Sequence, residues 1–293
     1  NFGLSAAVTA GLRHAAGEHL AGEQCPEEVQ VEHELDALRI QVEECLQIVG
    51  RPVHSYQLSL LGFWALALFY SQVGVHHLIG GPVPTWVVTL SIVTSVAMIV
   101  PVIAVAVNHH LTVLGRFKAL LHSPVLRFVV LGAMLYTAAS VQGSIEALRS
   151  VNTVTHFTHY TVGHAHLGAY GFASFVFFGA VYFILPRLTG REWPVRQLID
   201  VHLGLALTGF AVYFAALTAG GWLQGQGMLD ADTSFIETVV LTKPYLVGRS
   251  VGGALMVLQK RLEALEAVVL LRLVDIGALR RGGAGARGIL ERV

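Results

Sequence analysis

The feature that most constrains the fold of this chain is a series of long apolar runs. A helix needs about 20 apolar residues to cross a bilayer. Runs of this kind lie near residues 57–79, 85–107, 124–146, 162–186, 201–223 and 244–259. The first five are long enough for complete crossings, whereas Lys260 and Arg261 cut the sixth short. Because lipid leaves no partner for exposed backbone groups, we predict an all-α, polytopic transmembrane helix bundle with about six spans.

Composition supports a membrane location and divides the chain into three segments. Hydrophobic residues make up 54% of the 293 positions and charged residues only 13%, which is typical of a protein embedded in the lipid bilayer. The formal net charge is zero, so nothing indicates a nucleic-acid partner. We predict a membrane core at residues 51–258, preceded by a polar segment at 1–50 and followed by a charged amphipathic tail at 259–293.

The distribution of cations predicts the orientation of the bundle. Lys and Arg concentrate in the cytoplasmic connections of membrane proteins. The cation-rich connections are 51–56, 108–123 and 187–200, and the poorer ones are 80–84, 147–161 and 224–243. We therefore predict that the first group faces the cytoplasm. This orientation places the end of the first run and the start of the fourth together at the outer face.

The start of the fourth run carries two histidines, His164 and His166, separated by one residue. On a helix they point ~200° apart, so they cannot easily hold one metal between them but can hold two different groups on opposite sides. Histidine within a membrane is costly and tends to mark function. The alternative is that both are core histidines bonded to neighbouring helices.

The outer end of the first run carries a second constellation, Tyr70, His76 and His77. Adjacent histidines lie ~100° apart on a helix and can converge on one ion if the helix end is distorted. Neutral imidazole suits copper, zinc or iron. Tyr70 and His77 are two turns apart and share a face, so the phenol is a candidate proton or electron donor. The alternative is an interfacial tyrosine beside a surface histidine pair.

Polar residues between the third and fourth runs lie close to these pairs. Arg149, Asn152 and His156 can hold carboxylates such as heme propionates, and an ordinary solvated loop is the alternative. Glu146 lies one turn after Gln142 on the same helix face and is a candidate proton relay. It can instead lie at the interface and pair with Arg149.

A further group of histidines lies at the opposite end of the predicted bundle, which we expect to face the cytoplasm. Its members are His109, His110, His122 and His202. They are too far from the two outer pairs to share a site with them. We interpret them as interfacial or structural.

Several motifs between Arg51 and Leu258 resemble a known family, the catalytic subunit of cbb3-type cytochrome c oxidase, a heme-copper oxidase subunit I. The motifs are Arg51-Pro-Val-His-Ser-Tyr-Gln-Leu-Ser-Leu, Phe63-Trp64-Ala65-Leu66, Tyr70 with His76-His77-Leu78, Arg149-Ser-Val-Asn152 through His156 to Thr161-Val-Gly-His164-Ala-His166, Pro186-Arg-Leu, Gly190-Arg-Glu and Gly221-Trp-Leu-Gln-Gly225. The resemblance covers the C-terminal half of a subunit that normally has twelve helices. Residues 1–50 and 259–293 do not match, and we interpret them as unrelated or out-of-frame sequence joined to a family core.

The resemblance implies a role for each outer histidine. His164 resembles the axial ligand of a high-spin heme b, and His166 resembles one ligand of a low-spin heme b. His76 and His77 resemble two of three copper ligands. Tyr70 resembles the tyrosine that is cross-linked to the third copper histidine in this family.

The resemblance also implies a reaction and partners. Arg149, Asn152 and His156 would lie in the heme-propionate region. The expected activity is that of a proton-translocating cytochrome c oxidase, a terminal respiratory enzyme that reduces dioxygen to water. Electrons would come from c-type cytochrome subunits, and the expected location is the bacterial inner membrane, with several passes. Many members carry an acidic residue near the active site where this chain has Gln142, and Glu146 is a candidate substitute.

Two departures from the family pattern leave room for different functions. The family places the third copper histidine and the second low-spin heme ligand on earlier helices, which residues 1–50 do not resemble. We therefore expect that this chain alone does not assemble both hemes and copper. A nitric oxide reductase large subunit is one alternative, although Tyr70 argues against it. A heme-binding or transport membrane protein is a second, and an inactive fragment is a third, both without turnover.

Overall fold

The computed structural model describes residues 48–280, and every regular element in this range is a helix. The elements are α1 Tyr56–Tyr70, a 3₁₀ helix Val75–Leu78, α2 Thr85–Ala97, α3 Ile99–Val113, α4 Phe117–His122, α5 Pro124–Glu146, α6 Arg149–Thr155, α7 His159–His166, a π-helical segment Leu167–Ser174, α8 Phe175–Thr189, α9 Arg196–Leu229 and α10 Phe235–Arg280. The predictions for most of the polar segment 1–50 and for the end of the tail lie outside the described residues.

The predicted all-α membrane bundle is confirmed, with five crossings. Within the described range, the helices long and apolar enough to span a membrane are Tyr56–Leu78, Thr85–Val113, Pro124–Glu146, His159–Thr189 and Arg196–Leu229. They correspond to the first five predicted runs. The sixth run lies within α10, a helix of 46 residues that continues through the charged positions after Leu258 and is not one of the crossings.

The first crossing is not one continuous helix. Helix α1 ends at Tyr70, and the chain turns through Gly74, which has a φ of 100°. This left-handed conformation is open to glycine without steric cost. A separate 3₁₀ helix then carries His76 and His77. The helix is therefore distorted at the histidine pair, which is the condition for the two rings to converge, but the shared helix face predicted for Tyr70 and His77 is wrong, because it required an unbroken helix.

Hydrogen bonds from α3 fix the start of α1. Asn108 accepts from the backbone N–H of Ser55 at 2.8 Å and donates to the Ser55 carbonyl at 3.0 Å. The hydroxyl of Thr112 accepts from the backbone N–H of His54 at 3.1 Å. The Ser55 hydroxyl in turn caps α1 by accepting from the N–H of Leu58, as is common at a helix N-terminus. The motif that begins at Arg51 therefore has a structural role.

Two glycines allow α9 to pack directly against the backbone near the outer histidines. A Cβ at Gly221 would overlap the backbone of Tyr160, and a Cβ at Gly225 would overlap the carbonyl of Val154. Small residues permit this close approach of helices within membranes. Helix α9 also runs along α10, while α5 packs against α3, α8 and the π-helical segment. The bundle thus places α7, with its two histidines, between α5 and α9.

Candidate metal centre

The structure brings one histidine of each outer pair, His77 and His164, to one cavity. The cavity has a volume of about 490 Å³. Its lining consists of His77, His156, Phe157, Thr158, Thr161, Val162, His164 and Ala165. His76 lies beside it, with its ring centroid 4.2 Å from that of His77, and it interacts electrostatically with His164. The orientation predicted that the end of the first run and the start of the fourth lie at the same depth, and in the structure their histidines are neighbours. Tyr70 is not part of the cavity lining.

Two serines hold His76 and leave one of its ring nitrogens available, and a third serine holds one of these two. The backbone N–H of His76 donates to the Ser91 hydroxyl at 3.1 Å, and its Nδ1 lies 3.1 Å from the Ser95 hydroxyl. The Ser95 carbonyl accepts from the Ser144 hydroxyl at 2.8 Å, which ties α2 to α5. His76 is 3% exposed, and its Nε2 has no hydrogen-bond partner. A ring nitrogen held in this way commonly directs the other nitrogen toward a metal.

The ring of His164 packs on a glycine of α5. A Cβ at Gly143 would lie 2.8 Å from Cε1 and 3.0 Å from Nε2 of His164. On the other side of α7, a Cβ at Gly163 would lie 3.1 Å from the hydroxyl of Thr218 on α9. The Nδ1 of His164 is buried without a partner. Glycine at position 143 therefore provides the space that the imidazole occupies.

His166 projects toward a different helix, as the helical spacing predicts. Its Nδ1 donates to the Val162 carbonyl at 2.8 Å. Its Nε2 therefore accepts from the hydroxyl of Tyr213 on α9, at 3.3 Å, and the two ring centroids lie 5.0 Å apart. The two histidines of α7 face α5 and α9 respectively, so they can serve two different groups.

Glu146 is fully buried and lies one hydrogen bond away from the cavity. Its Oε1 accepts from the hydroxyl of Thr161, a cavity-lining residue, and its Oε2 has no partner. The alternative ion pair with Arg149 is not formed. The guanidinium of Arg149 is exposed and donates to the hydroxyl of Thr89 at 2.8 Å.

The other two candidates for the propionate region differ in their surroundings. Asn152 is 2% exposed, and its amide donates to the Glu146 carbonyl at 3.3 Å, which joins α6 to the end of α5. His156 lines the cavity, and its Nε2 is buried without a partner. Asn152 is thus engaged within the protein, whereas His156 remains available to a bound group.

The donor set fits metal and heme ligation, but only in part. Unpartnered ring nitrogens belong to His156 and His164, which line the cavity, and to His76 beside it, and buried polar atoms of this kind normally have partners. Within residues 48–280, however, no three His, Cys, Asp or Glu side chains are grouped closely enough to hold a metal ion. The described residues therefore supply a histidine pair and single axial histidines rather than a complete ligand set.

Sequence reasoning missed the residues that support these ligands. The side chain of Gln224 accepts from the backbone N–H of His159 at 2.9 Å and so caps α7. Gln224 lies between the two packing glycines, Gly221 and Gly225, in a motif that carried the family resemblance. The motif could therefore be recognised in the sequence, but the sequence did not show what the motif contacts. Ser91 and Ser95 carried no signal, because isolated hydroxyls are ordinary in an apolar helix.

Comparisons with known proteins find similar sequences over most of the chain. A sequence model of the family described as "Cytochrome C and Quinol oxidase polypeptide I" matches residues 34–255. The cbb3-type cytochrome c oxidase subunit CcoN1 of Stutzerimonas stutzeri is 35% identical over 212 residues, which cover 70% of this chain and 45% of that protein. The cytochrome c oxidase subunit 1 of Rhodobacter capsulatus is 35% identical over 215 residues, or 71% of this chain and 40% of that protein.

The fold is similar to that of a solved heme-copper terminal oxidase dimer. The match has a TM-score of 0.61 at 21% identity, and it covers 74% of this chain and 42% of that chain. This chain thus spans less than half the length of these relatives. The five apolar helices and the bacterial relatives place it in the inner membrane as a multi-pass protein. The chain belongs to the cytochrome c and quinol oxidase polypeptide I family.

Proposed function

We propose that the chain forms part of the catalytic subunit of a terminal respiratory oxidase. The proposed enzyme reduces dioxygen to water with electrons from cytochrome c and couples this reaction to proton translocation. The observation that carries the proposal is the convergence of His76, His77 and His164 around one cavity, with unpartnered nitrogens on His76 and His164. The relatives named as cytochrome c oxidase subunits support the same reaction class.

Histidines on the two sides of α7 would bind different groups. His76 and His77 would hold copper, and His164 would hold a high-spin heme b across the same cavity. His166 would hold a low-spin heme b on the side of α9. When bound, these metals supply the electrons that dioxygen accepts. For His166 to bind a heme iron through Nε2, the hydroxyl of Tyr213 must release that nitrogen.

In this proposal Glu146 supplies protons to the cavity. Its carboxyl accepts a hydrogen bond from Thr161, which lines the cavity. A proton held on Glu146 can therefore reach the cavity through one hydroxyl. Reduction of one dioxygen to two water molecules consumes four protons and four electrons, so a buried group that is reloaded in each cycle is required. Tyr70 is proposed as a donor of a hydrogen atom from its phenol.

Groups at the outer surface would complete the site. His156 lines the cavity and has an unpartnered Nε2, so it can donate to a carboxylate such as a heme propionate. The exposed guanidinium of Arg149 lies near the same end and can bind a second carboxylate. Electrons are proposed to arrive from c-type cytochrome subunits that assemble with this chain.

Carbon monoxide provides a direct test of the proposed metal pair. The purified chain in lipid nanodiscs would be loaded with heme b and copper, reduced and exposed to carbon monoxide. After photolysis at low temperature, we expect the released molecule to transfer from iron to copper and to give a second infrared band. The band should vanish in the His76→Ala/His77→Ala variant, and both bands should vanish in His164→Ala.

The same preparation distinguishes the main alternative. A nitric oxide reductase would hold non-heme iron beside the heme, so chain purified from cells would contain iron rather than copper at the histidine pair before any metal is added, whereas added copper binds more tightly than iron to any imidazole site. Copper already in that position before any is added supports the oxidase proposal. Absence of a copper-bound carbon monoxide band from chain that has bound both metals would overturn it.

A further inference from the structure

A second polar cluster is buried at the opposite end of the bundle, between α8, α9 and α10. We call Tyr182, His202, Gln259 and Glu266 the inner cluster. Their exposed fractions are 3%, 0%, 0% and 5%. The end of the bundle that contains them is the one that the cation distribution assigns to the cytoplasm. His202 is therefore not an interfacial residue, and it belongs to a buried network remote from the metal centre.

The hydrogen bonds of the inner cluster define its protonation. The hydroxyl of Tyr182 donates to Oε2 of Glu266 at 3.0 Å. The same hydroxyl lies 2.7 Å from Nδ1 of His202. When Glu266 is ionised it can only accept, so the single proton of the phenol goes to the carboxylate and Nδ1 of His202 carries the proton that it donates to the phenol oxygen. Nε2 is then the nitrogen without a proton.

The remaining polar atoms of the cluster are all acceptors. Nε2 of His202, Oε1 of Gln259 and Oε1 of Glu266 are buried without partners. The amide nitrogen of Gln259 is engaged, because it donates to the hydroxyl of Tyr170 at 3.0 Å. Gln259 also lies within hydrogen-bonding reach of His202. Nε2 of His202 and Oε1 of Gln259 are both acceptors and are unfavourable without a donor, and a proton added to Nε2 would supply one.

The surroundings of His202 are apolar, so a proton on its ring depends on the polar groups of the cluster. The rings of Phe128 and Phe178 lie edge-on to His202, at centroid distances of 5.1 and 4.7 Å, and exclude water. The indole N–H of Trp193 donates to the Tyr182 carbonyl at 3.0 Å and holds the loop over the cluster. These contacts create a low-polarity site in which a positive imidazolium needs a nearby negative charge.

Other titratable groups that face the cluster lie on α10 and on the π-helical segment. Glu263 interacts electrostatically with Tyr182 and Tyr170, and Lys260 attracts Glu263. Burial raises the pKa of the Glu266 carboxyl. Lys260 partly balances the negative charge of Glu263. Glu266 is hydrogen-bonded directly to the cluster, so it is the carboxylate that can balance a positive charge on His202.

We propose that the inner cluster is a buried proton-binding site loaded from the cytoplasmic side. The proton adds to Nε2 of His202, and the new N–H donates to Oε1 of Gln259. The positive imidazolium is balanced by Glu266, to which Tyr182 joins it through two short hydrogen bonds. The site does not depend on the proposed metal chemistry, so each proposal can fail without the other.

Histidine NMR tests the site in the full chain. The chain would be labelled with ¹⁵N-histidine, reconstituted in nanodiscs without added metal, and titrated with acid, and the His202 signal would be identified by its loss in His202→Gln. We expect His202 to change from the Nδ1-protonated neutral form to the doubly protonated form in one step. In Glu266→Gln, the midpoint should fall by at least ~1 pH unit, because the balancing charge is lost.

Two further variants keep the test decisive. Tyr182→Phe removes the bridge but no charge, and it should also lower the midpoint, so it serves if Glu266→Gln does not fold. Glu237→Gln, in the exposed first turn of α10, is the matched control and should leave the midpoint unchanged. The proposal is overturned if His202 stays neutral over the whole pH range in which the chain stays helical, or if its midpoint is the same in wild type and Glu266→Gln.

Discussion

Single residues decide which imidazole nitrogens in this chain can reach a metal. His76 and His166 each have Nδ1 occupied, by Ser95 and by the Val162 carbonyl. This leaves Nε2 as the nitrogen that could bind a metal in both cases: in His76 it has no partner, and in His166 it accepts from Tyr213. Because the partner of one nitrogen determines the tautomer of the ring, the supporting hydrogen bonds are as necessary to the proposed site as the histidines themselves.

The first prediction concerns Ser95. Replacement by alanine removes the hydroxyl beside Nδ1 of His76 and frees the ring to rotate, so copper affinity should fall by about 10- to 100-fold. The measurement is a copper titration of the purified chain. Thr94→Val is a suitable control on the same helix, because the Thr94 hydroxyl donates only to backbone carbonyls of its own helix. Equal copper affinity in Ser95→Ala and wild type would rule out this role.

The second prediction concerns Gly143. A methyl group there would lie 2.8 Å from the His164 ring, so Gly143→Ala should displace the imidazole without unfolding α5. Heme affinity measured by absorbance titration should fall by about tenfold or more, a free-energy difference of about 1.4 kcal/mol. Gly204→Ala is the control, because nothing lies within 4 Å of its added Cβ. Unchanged heme binding in Gly143→Ala would show that heme does not use His164.

The residues of the site were only partly predictable. The histidine pairs stand out in apolar sequence, and orientation alone predicts that they lie at the same depth. The burial of Glu146 beside Thr161 was not predictable, because the choice between an interfacial ion pair and a buried hydrogen bond depends on how α5 and α7 pack. The sequence indicates only an interfacial or structural role for His202. Its network partner Glu266 lies on α10, and no local sequence pattern predicts that α10 packs against α9.

At the scale of helices, the packing of α9 positions the helix that carries His164 and His166. Gly221 and Gly225 allow direct backbone contact with α7 and with the end of α6. Gln224 then reaches the first N–H of α7 and caps it. A change on α9 should therefore affect the metal centre without touching a ligand.

The third prediction tests this contact. Gly221→Ala places a methyl group into the backbone of Tyr160, and such overpacking should lower the free energy of unfolding by about 1–3 kcal/mol. Thermal unfolding in detergent, followed by circular dichroism, measures the change. Gly204→Ala on the same helix should be neutral or stabilising by up to about 1 kcal/mol, because alanine favours helix over glycine. Equal losses for both variants would contradict a specific contact at Gly221.

Element positions were more predictable than their irregularities. All five crossings follow from apolar length, whereas the break after Tyr70 and the π-helical segment Leu167–Ser174 do not. The break depends on Gly74 adopting positive φ, and glycine in an apolar run is compatible with both a helix and a turn. The length of α10 was also missed, because charged residues after Leu258 rule out lipid contact but not helix formation against α9.

At the scale of the whole molecule, the orientation of the bundle determines the role of each end. The metal centre lies at the predicted outer end, and the inner cluster lies at the predicted cytoplasmic end. In the proposed oxidase, this separation would place proton uptake and the metal centre at opposite ends of the bundle. The relatives to which the chain is similar are longer, and the matched region covers 45% and 40% of two of them.

The fourth prediction tests this orientation. In a background with Cys25 and Cys45 replaced by serine, single cysteines would be placed at the exposed positions Leu121 and Phe235. A thiol reagent that does not cross membranes should label Phe235→Cys in intact cells and Leu121→Cys only after the membrane is opened. The reverse pattern would invert the bundle and place the inner cluster at the outer face.

The central claim is that His76 and His77 share one cavity with His164, and magnetic coupling tests it most directly. The purified chain in nanodiscs would be loaded with ferric heme b, and its high-spin electron paramagnetic resonance signal recorded before and after Cu(II) is added. We predict that bound copper strongly reduces the heme signal, because the two spins couple across the cavity, and that the signal returns in His76→Ala/His77→Ala. A heme signal that is unchanged when metal analysis shows copper bound to the wild-type chain would contradict the account.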